Sequence, residues 1–339
     1  MILKNIFITG ANGLIGSYLV QHFIKEGYTV HALYRTSSDI AYLWELKNQI
    51  HWHEGDIFDT LLLIELFKDI DMVIHAAAMV SFHYNDRKKM YETNVVGTAN
   101  IVNACLETGV KKFCYISSVA SLGRKKGETE INELSKWEDN EKFTYYGQTK
   151  YLAELEVQRG VAEGLDAFIV CPSVVLGVGD WRKSSLRLFE YVQKQTPFYT
   201  SGWINYVDVR DVTHCIALLL EQGRAVSGER FILNAGVTTY KNLFMQIANR
   251  LQKKAPQWLI SNFWLMFISR FLRLLQLLTG IRPNLTPETA QAAIYQFSIA
   301  NEKVKKQINY SFLSLEQTLD WVIETGNQQK EPRYLGKSG

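Results

Sequence analysis

Cysteine and proline are scarce in this sequence. Its 339 residues include six prolines and four cysteines, and no two cysteines form a Cys-x-x-Cys pair. A disulfide scaffold is dense in cysteine, and collagen-like or disordered chains lack the 47% hydrophobic content found here. We therefore expect a globular, cytosolic protein with reduced thiols, and a strand that begins at residue 2 would leave no room for a signal peptide. The four thiols are Cys105, Cys114, Cys171 and Cys215.

Concentrated positive charge and metal-ligand spacing are also lacking. The formal net charge is only +3, and basic pairs such as Lys88-Lys89 are scattered, whereas a nucleic-acid-binding protein would cluster them. His51 and His53 share one side of a predicted strand, but no third ligand is evident near them in the sequence. We expect neither a nucleic-acid partner nor a bound metal.

No hydrophobic run reaches the length of an ordinary membrane-spanning helix. The segment 255–269 carries no charge, but it falls short of the about 20 apolar residues that a span needs. Polar residues at helical spacing predict a helix at 256–278 with one narrow polar stripe and a wide apolar surface. Burial against a substrate-binding lobe is the explanation we favour; a lid over an apolar substrate, a dimer contact and docking on a membrane surface stay open. The stripe consists of Asn262, Ser269, Arg273 and Gln276.

Over its first two-thirds the sequence alternates short apolar runs with amphipathic stretches. Alternation at this spacing predicts a parallel sheet covered by helices on both faces, with right-handed crossovers. The expected class is α/β: a Rossmann-type, doubly wound parallel sheet with a smaller, mainly helical C-terminal substrate lobe. The predicted strands are 2–8, 28–34, 71–75, 112–117, 167–171 and 230–234, and the predicted helices are 14–26, 86–108, 145–163, 184–195 and 209–222.

The domain boundaries are predicted from where this alternation loosens. We assign residues 1–170, together with 204–235, to the nucleotide-binding domain. Residues 171–203 and 236–325 are expected to form the substrate-binding lobe, with the substrate between lobe and sheet. The polar tail 326–339 is expected to be flexible.

A glycine-rich turn separates the first predicted strand from the first predicted helix. A helix N-terminus offers unpaired backbone N–H groups and the positive end of its dipole, and glycines let the backbone approach a pyrophosphate. The Gly-x-x-Gly-x-x-Gly spacing, placed between a strand and a helix, therefore predicts a dinucleotide-binding loop. The loop comprises Gly10, Ala11, Asn12, Gly13, Leu14, Ile15 and Gly16.

The end of the second predicted strand bears on cofactor preference. An NAD-binding site usually has an acidic residue there for the ribose 2′-hydroxyl, about 20 residues past the glycines. This chain has Arg35, whose guanidinium can pair bidentately with a 2′-phosphate, and its next acid, Asp39, comes four residues later. We expect NADP(H) to be preferred over NAD(H).

Ser118, Tyr146 and Lys150 have the chemistry that reduction of a carbonyl requires. Hydride addition leaves an alkoxide, and a tyrosine can supply its proton, although the unperturbed tyrosine pKa is about 10. Lys150 lies four residues after Tyr146 on a predicted helix, so the two share a face, and its ammonium is expected to lower the pKa of the phenol. Ser118, at a strand end, can donate a hydrogen bond to the carbonyl oxygen.

The motifs of the chain resemble, in their order, those of the extended short-chain dehydrogenase/reductase family. The resemblance runs from residue 2 to about 325, and each motif is specific only in combination with the others. Segments 171–177 and 206–212 are similar to the dihydroflavonol-reductase-like branch, which also holds cinnamoyl-CoA reductases and 3β-hydroxysteroid dehydrogenases. The motifs are the glycine loop, Gly55-Asp56, His75-Ala76-Ala77-Ala78, Asn94-Val95-Val96-Gly97-Thr98, Ser117-Ser118 and Tyr146-Gly147-Gln148-Thr149-Lys150.

This resemblance implies roles for further residues. Asp56 and Ile57 would contact the adenine, Asn94 would brace the active site, and Ser117, Tyr146 and Lys150 would also touch the cofactor. The ribose and diphosphate would lie against Ala76, Ala77 and Ala78, and the nicotinamide against Pro172, Ser173, Val174 and Val175. The residues expected to face the substrate, a mostly apolar set that favours a hydrophobic carbonyl compound, are Val80, Ser81, Phe82, Ser118, Val119, Trp181 and Tyr206, with the helix near Trp264.

Two other functions stay open. The same scaffold serves nucleotide-sugar epimerases and dehydratases, which hold NAD tightly, and Arg182, Lys183 and Arg187 could supply a diphosphate site. A non-catalytic nucleotide sensor is a remote alternative, because such relatives typically lose the tyrosine or the lysine. The resemblance also implies a homodimer through helices 86–108 and 145–163.

Overall fold

A parallel sheet of seven strands forms the centre of the structure, a computed structural model that describes residues 4–36, 39–123, 129–137 and 144–330. Three of its inner strands are buried along their whole length, as expected for apolar runs covered on both faces. The strands of the described chain are β1 (Asn5–Thr9), β2 (Thr29–Tyr34), β3 (Ile50–Glu54), β4 (Met72–His75), β5 (Lys112–Ile116), β6 (Glu130–Ile131), β7 (Ala167–Pro172), β8 (Val174–Leu176), β9 (Phe198–Tyr199), β10 (Trp203–Asp208), β11 (Arg230–Leu233), β12 (Gly236–Thr239), β13 (Trp258–Leu259) and β14 (Ser298–Ile299).

The strand order places one crevice at the middle of the sheet. The order is β3-β2-β1-β4-β5-β7-β11, and every neighbouring pair is parallel. The chain leaves β1 toward one edge and returns beside it as β4, so the direction of winding reverses there. Ligands of such sheets bind outside the carboxyl ends of the strands at this reversal. The predicted doubly wound α/β fold is confirmed.

Helices cover both faces of the sheet because side chains alternate along each strand. On one face, Ile6 and Ile8 of β1 pack into a core shared with helices 14–25 and 209–221. On the other face, Phe7 packs into a core shared with helices 60–67, 97–108 and 145–162. The helices are α1 (Leu14–Lys25), α2 (Thr60–Phe67), α3 (Arg87–Tyr91), α4 (Gly97–Thr108), α5 (Tyr145–Ala162), α6 (Arg187–Gln193), α7 (Val209–Glu221), α8 (Tyr240–Leu251), α9 (Asn262–Thr279), α10 (Pro287–Ala292), α11 (Glu302–Ile308) and α12 (Leu315–Lys330).

A second core lies around a small sheet of β12, β10 and β8. β10 runs parallel to β8 and antiparallel to β12, and its residues pack with those of α6, α8 and α12. The sequence placed 204–235 in the nucleotide-binding domain, but β10 pairs with strands of the predicted lobe while α7 and β11 pack on the central sheet. Helix α12 continues to Lys330, within the predicted tail, and the rest of that tail lies outside the described residues.

The predicted helix at 256–278 exists as β13 followed by α9, but its predicted burial is wrong. The residues that α9 buries are Leu265 and Ser269. The helix packs on α10 through this narrow face, so the polar Ser269 lies inside and the aromatic side chains lie outside. No part of the described chain therefore covers the wide apolar face of α9. None of the described helices combines the length and the apolar character needed to cross a membrane.

Candidate active site

A histidine joins the two strand ends at the crevice. His75, fully buried at the end of β4, lies between Thr9 Oγ1 (2.7 Å from Nδ1) and Thr98 Oγ1 (3.0 Å from Nε2). The Thr98 hydroxyl donates to the Asn94 carbonyl, and the Ala77 amide donates to Thr9 Oγ1. Nε2 of His75 is therefore the protonated nitrogen, and Nδ1 accepts from Thr9. Burial lowers the pKa of His75 to about 3, so the ring is neutral.

The glycine loop lies tightly against the end of β4. Gly10 has a φ of 68°, and a Cβ on it would lie 2.6 Å from the Ala77 nitrogen. A Cβ on Gly16 would lie 2.1 Å from the Gly10 carbonyl oxygen. Gly13 caps α1 without any side-chain hydrogen bond, so no side chain of the N-cap residue binds the first amides of the helix. The loop thus offers backbone donors at the switch point, as a pyrophosphate site requires.

Two of the residues predicted for the adenosine end of the cofactor lie together, whereas the third, Ile57, is buried in the core. Arg35, which follows β2, and Asp56, which follows β3, line one open cleft, and two lysines of the segment around α3 lie on its other side. The cleft therefore combines three cations and two carboxylates with one aromatic ring. It is lined by Arg35, Asp56, Phe58, Asn85, Lys88, Lys89, Glu92 and Thr93.

Helix α5 brings Tyr146 to Ser118. The N-cap Thr144 accepts a hydrogen bond from the Gly147 amide (3.0 Å), and Gly147 allows the first turn of α5 to lie against the turn that follows β5. A Cβ at Gly147 would be 2.3 Å from the Ala120 carbonyl oxygen. In this arrangement the Ser118 side chain lies close enough to the phenol of Tyr146 to interact with it. The structure thus brings together two of the three predicted catalytic side chains directly.

Lys150 lies one turn further along α5, in the interior. It is 1% exposed, its Nζ donates to the Ile116 carbonyl (2.6 Å), and it lies 4.2 Å from the centre of the Tyr115 ring. Burial lowers the pKa of Lys150 to about 7, against the opposing charge of Glu154. Lys150 can thus exist in either protonation state near neutral pH.

The phenol of Tyr146 does not have the lowered pKa that the sequence suggested. Burial raises the pKa of Tyr146 to about 12, and the nearby Ser118 side chain opposes this only in part. Desolvation penalises the tyrosinate more than the neighbouring donors favour it. Tyr146 therefore holds its proton throughout the neutral pH range.

Asn94 connects the loop after β4 with α5. Its Oδ1 accepts from the Met79 amide (2.7 Å), and its Nδ2 donates to the Met79 carbonyl (2.9 Å) and to Thr149 Oγ1 (3.0 Å). The predicted continuous helix 86–108 is interrupted here by a π-helical segment, Glu92–Val96, between α3 and α4. Such segments often occur at functional sites, because the wider turn reorients a side chain.

The structure contains a buried acidic residue, one helical turn after Lys150, that the sequence analysis did not predict. Glu154, 4% exposed, pairs with Arg230 of β11 (2.9 Å) and accepts hydrogen bonds from Ser117 and Ser121. The Sγ of Cys171 lies 3.6 Å from its Oε1. Glu154 follows Tyr146 by eight residues and Lys150 by four, so this helical spacing was the available sequence signal.

The other predicted residues divide into two groups. Phe82 lies edge-on to Tyr146 with ring centres 6.5 Å apart, and Ser81 donates to Asp86 (2.7 Å) beside it. By contrast, Trp181 and Tyr206 are packed in the second core, because their rings complete its apolar contacts. Ser117, predicted to touch the cofactor, faces Glu154. Val80 is exposed, Val119 half-buried, and Ser173 buried with no hydrogen-bond partner for its hydroxyl within the described chain.

Comparison with known proteins identifies the family. A model of the NAD dependent epimerase/dehydratase family matches residues 6–236. The chain belongs to this family. A Synechocystis sp. protein named "Putative dihydroflavonol 4-reductase" is 33% identical over 255 residues, which cover 74% of each chain. Further relatives of this extended short-chain dehydrogenase/reductase family are named as reductases and dehydrogenases.

Solved structures share this fold over nearly the whole chain. The crystal structure of gox2253 superimposes with a TM-score of 0.82 at 28% identity, covering 96% of this chain and 99% of that one. UDP-glucuronic acid 4-epimerase from Bacillus cereus, in complex with NAD, gives a TM-score of 0.76 at 18% identity, covering 97% and 100%. The second likeness concerns the fold alone.

Proposed function

We propose that this protein is an NADP(H)-dependent oxidoreductase that reduces an apolar aldehyde or ketone to an alcohol. The observation that carries the proposal is the proximity of the Ser118 and Tyr146 side chains, with Lys150 one helical turn away, at the carboxyl edge of the sheet. Family membership and relatives named as reductases support the reaction class.

The residues at the crevice fit a dinucleotide. The glycine loop leaves the first amides of α1 without a side-chain cap, which suits a pyrophosphate. The buried hydroxyl of Ser173 has no partner in the described chain and could bond the nicotinamide carboxamide. Asp56 and Ile57 would hold the adenine, and the alanines after β4 would hold the ribose and diphosphate, as the small side chains there allow.

Reduction uses the protonation states that burial imposes. Bound NADPH would supply the hydride. Ser118 would donate a hydrogen bond to the substrate oxygen as negative charge develops on it. Tyr146, whose pKa of about 12 keeps it protonated, would give its proton to the alkoxide. Lys150 in its ammonium form would stabilise the tyrosinate that remains.

Tyr146→Phe tests this assignment. We expect kcat of NADPH-dependent carbonyl reduction to fall by about 10²–10⁴-fold, the usual contribution of a general acid, with little change in the Kd for NADPH. Tyr145→Phe is the matched control, because Tyr145 is adjacent but stacks beneath Arg87. Turnover that survives in Tyr146→Phe but not in Tyr145→Phe would reverse the assignment.

Preference for NADP(H) is supported by the charges of the adenosine cleft. Arg35, Lys88 and Lys89 all line it and could surround a 2′-phosphate. We expect NADPH to bind at least about tenfold more tightly than NADH, and Arg35→Ala to remove most of that difference, as loss of a charged hydrogen-bonded pair would. NADH binding as tightly as NADPH in the unmodified protein would refute the preference.

The substrate would enter beside Phe82. The side chains proposed to contact it are Val80, Phe82 and Val119, which favour an apolar carbonyl compound. Trp181 and Tyr206 lie in the second core, so they would act by supporting this wall. A panel of aromatic and aliphatic aldehydes, flavonoid-like ketones and steroids, with nucleotide sugars as the counter-set, tests the class.

A nucleotide-sugar epimerase is the competing function, since NAD-dependent epimerases share the fold. Its diphosphate would need the basic side chains near α6. Arg182 and Lys183 instead pair with Asp180, and Arg187 donates to Asn284, which weighs against that role. Acid denaturation of the purified protein, followed by measurement of the released nucleotide, distinguishes the two functions. One NAD released per chain would favour the epimerase.

We also propose a homodimer through the predicted helices 86–108 and 145–163. Tyr91, Val96 and Leu155 are apolar side chains exposed along them by 41%, 40% and 46%. A shared four-helix arrangement would cover these surfaces. Light scattering on the purified protein measures its mass, and a monomer at all concentrations would exclude this assembly.

A further inference from the structure

One long segment of the sequence contains no acidic residue. Between Glu229 and Glu288 there is no aspartate or glutamate. Exposed cations of this segment, such as Arg270 and Arg273 on α9, therefore have no acidic neighbour within it. Its basic residues are Arg230, Lys241, Arg250, Lys253, Lys254, Arg270, Arg273 and Arg282.

Helix α9 directs its apolar face away from the protein. Five apolar side chains, spaced four, four, three and four residues apart, share one face, and each is at least 52% exposed. The opposite face holds Leu265 and Ser269, which are buried. This distribution is the reverse of that of a helix built to complete a core. The five are Phe263, Phe267, Phe271, Leu274 and Leu278.

The aromatic rings at the start of α9 form one continuous surface. The centres of the Phe263 and Trp264 rings are 5.6 Å apart, and Phe267 lies 6.4 Å and 5.8 Å from them. Trp258 and Leu259, just before the helix, are also more than half exposed. Contiguous apolar patches of this kind mark interaction sites.

The patch adjoins the proposed substrate entrance. Arg273 lies 5.7 Å from the centre of the Tyr84 ring, and Arg282 pairs with Asp86 (3.2 Å). Asp86 in turn accepts the hydrogen bond of Ser81, next to the phenylalanine that faces Tyr146. The exposed surface and the mouth of the crevice are therefore held together by polar contacts.

We propose that α9 docks this protein in the plane of an anionic lipid bilayer. Its phenylalanines and tryptophan would enter the headgroup–acyl boundary, and Arg270 and Arg273, which are exposed on the same helix, would bind lipid phosphates. A second copy of the chain fits less well, because two copies of this face would bring arginines together with no acid on the segment to pair them. The proposal goes beyond the reductase assignment and does not depend on it.

Co-sedimentation of the purified full chain with vesicles tests the proposal. We expect binding to vesicles of phosphatidylcholine mixed with phosphatidylglycerol and much weaker binding to phosphatidylcholine alone. Phe267→Ser with Phe271→Ser, and separately Arg270→Gln with Arg273→Gln, should each reduce partitioning by on the order of tenfold or more. Leu61→Ser is the matched control, because Leu61 is 80% exposed on α2, outside the patch.

Two further measurements keep the test decisive if a variant folds poorly. Brominated acyl chains should quench the tryptophan fluorescence of the unmodified protein, and light scattering reports its mass. No sedimentation of the unmodified protein, or equal sedimentation with both vesicle types, would overturn the proposal. A patch variant that converts a dimer to a monomer, in a protein that binds no vesicles, would overturn it in favour of a second copy.

Discussion

Replacing Glu154 by glutamine removes one charge of a buried ion pair behind the proposed catalytic lysine. The carboxylate is 4% exposed and lies 2.9 Å from Arg230. Breaking a buried pair on one side costs about 3–5 kcal/mol, because the remaining charge stays desolvated. The Arg230 side chain is 21% exposed and also donates to the Glu133 carbonyl, so we expect a loss of about 3 kcal/mol, at the low end of that range.

Urea unfolding at neutral pH measures this loss. Glu156→Gln is the matched control on the same helix, since its pair with Arg159 is 31% exposed on the Glu156 side, and such surface pairs contribute less than about 1 kcal/mol. Equal midpoints for the two variants would mean that the buried Glu154–Arg230 pair contributes no more to stability than a surface pair does.

The same substitution should change the pH dependence of catalysis. The charge of Glu154 raises the pKa of Lys150, which burial lowers to about 7. Without that charge the pKa of Lys150 falls further, so the ammonium form becomes scarcer at neutral pH. The alkaline limb of kcat/KM should move to lower pH in Glu154→Gln and stay in place in Glu156→Gln. An unmoved limb would mean that Lys150 does not act as an ammonium.

Two more perturbations test the packing at the crevice and the protonation of buried histidines. Gly147→Ala would bring a Cβ to 2.3 Å from the Ala120 carbonyl oxygen. We therefore expect kcat of NADPH-dependent carbonyl reduction to fall by a larger factor than the affinity for NADPH, when both are measured on this variant. Acidification should destabilise the protein as the pH falls from 6.5 toward 4, because burial lowers the pKa of His75 to about 3 and that of His31 to about 4, so the unfolded chain binds more protons. Thermal melting across this window should show a falling Tm; a flat profile would contradict it.

The sequence by itself determined the fold class and the elements of the candidate site. Strand and helix periodicity, the glycine spacing and the four-residue step from Tyr146 to Lys150 are properties of neighbouring residues, which local geometry converts directly into structure. For the same reason the sequence could predict that α9 is a helix with a wide apolar face.

Only the tertiary structure decided which distant parts of the chain these elements contact and which side chains become buried. Glu154 and Arg230 are 76 residues apart, and their pairing, with Cys171 beside it, depends on β11 joining the sheet next to β7. The pKa of Tyr146 rises because desolvation, which no spacing encodes, exceeds the effect of its donors. The apolar face of α9 lies outside because Ser269 rather than Phe267 meets the protein. Periodicity fixes which side chains share a face, whereas burial depends on distant parts of the chain.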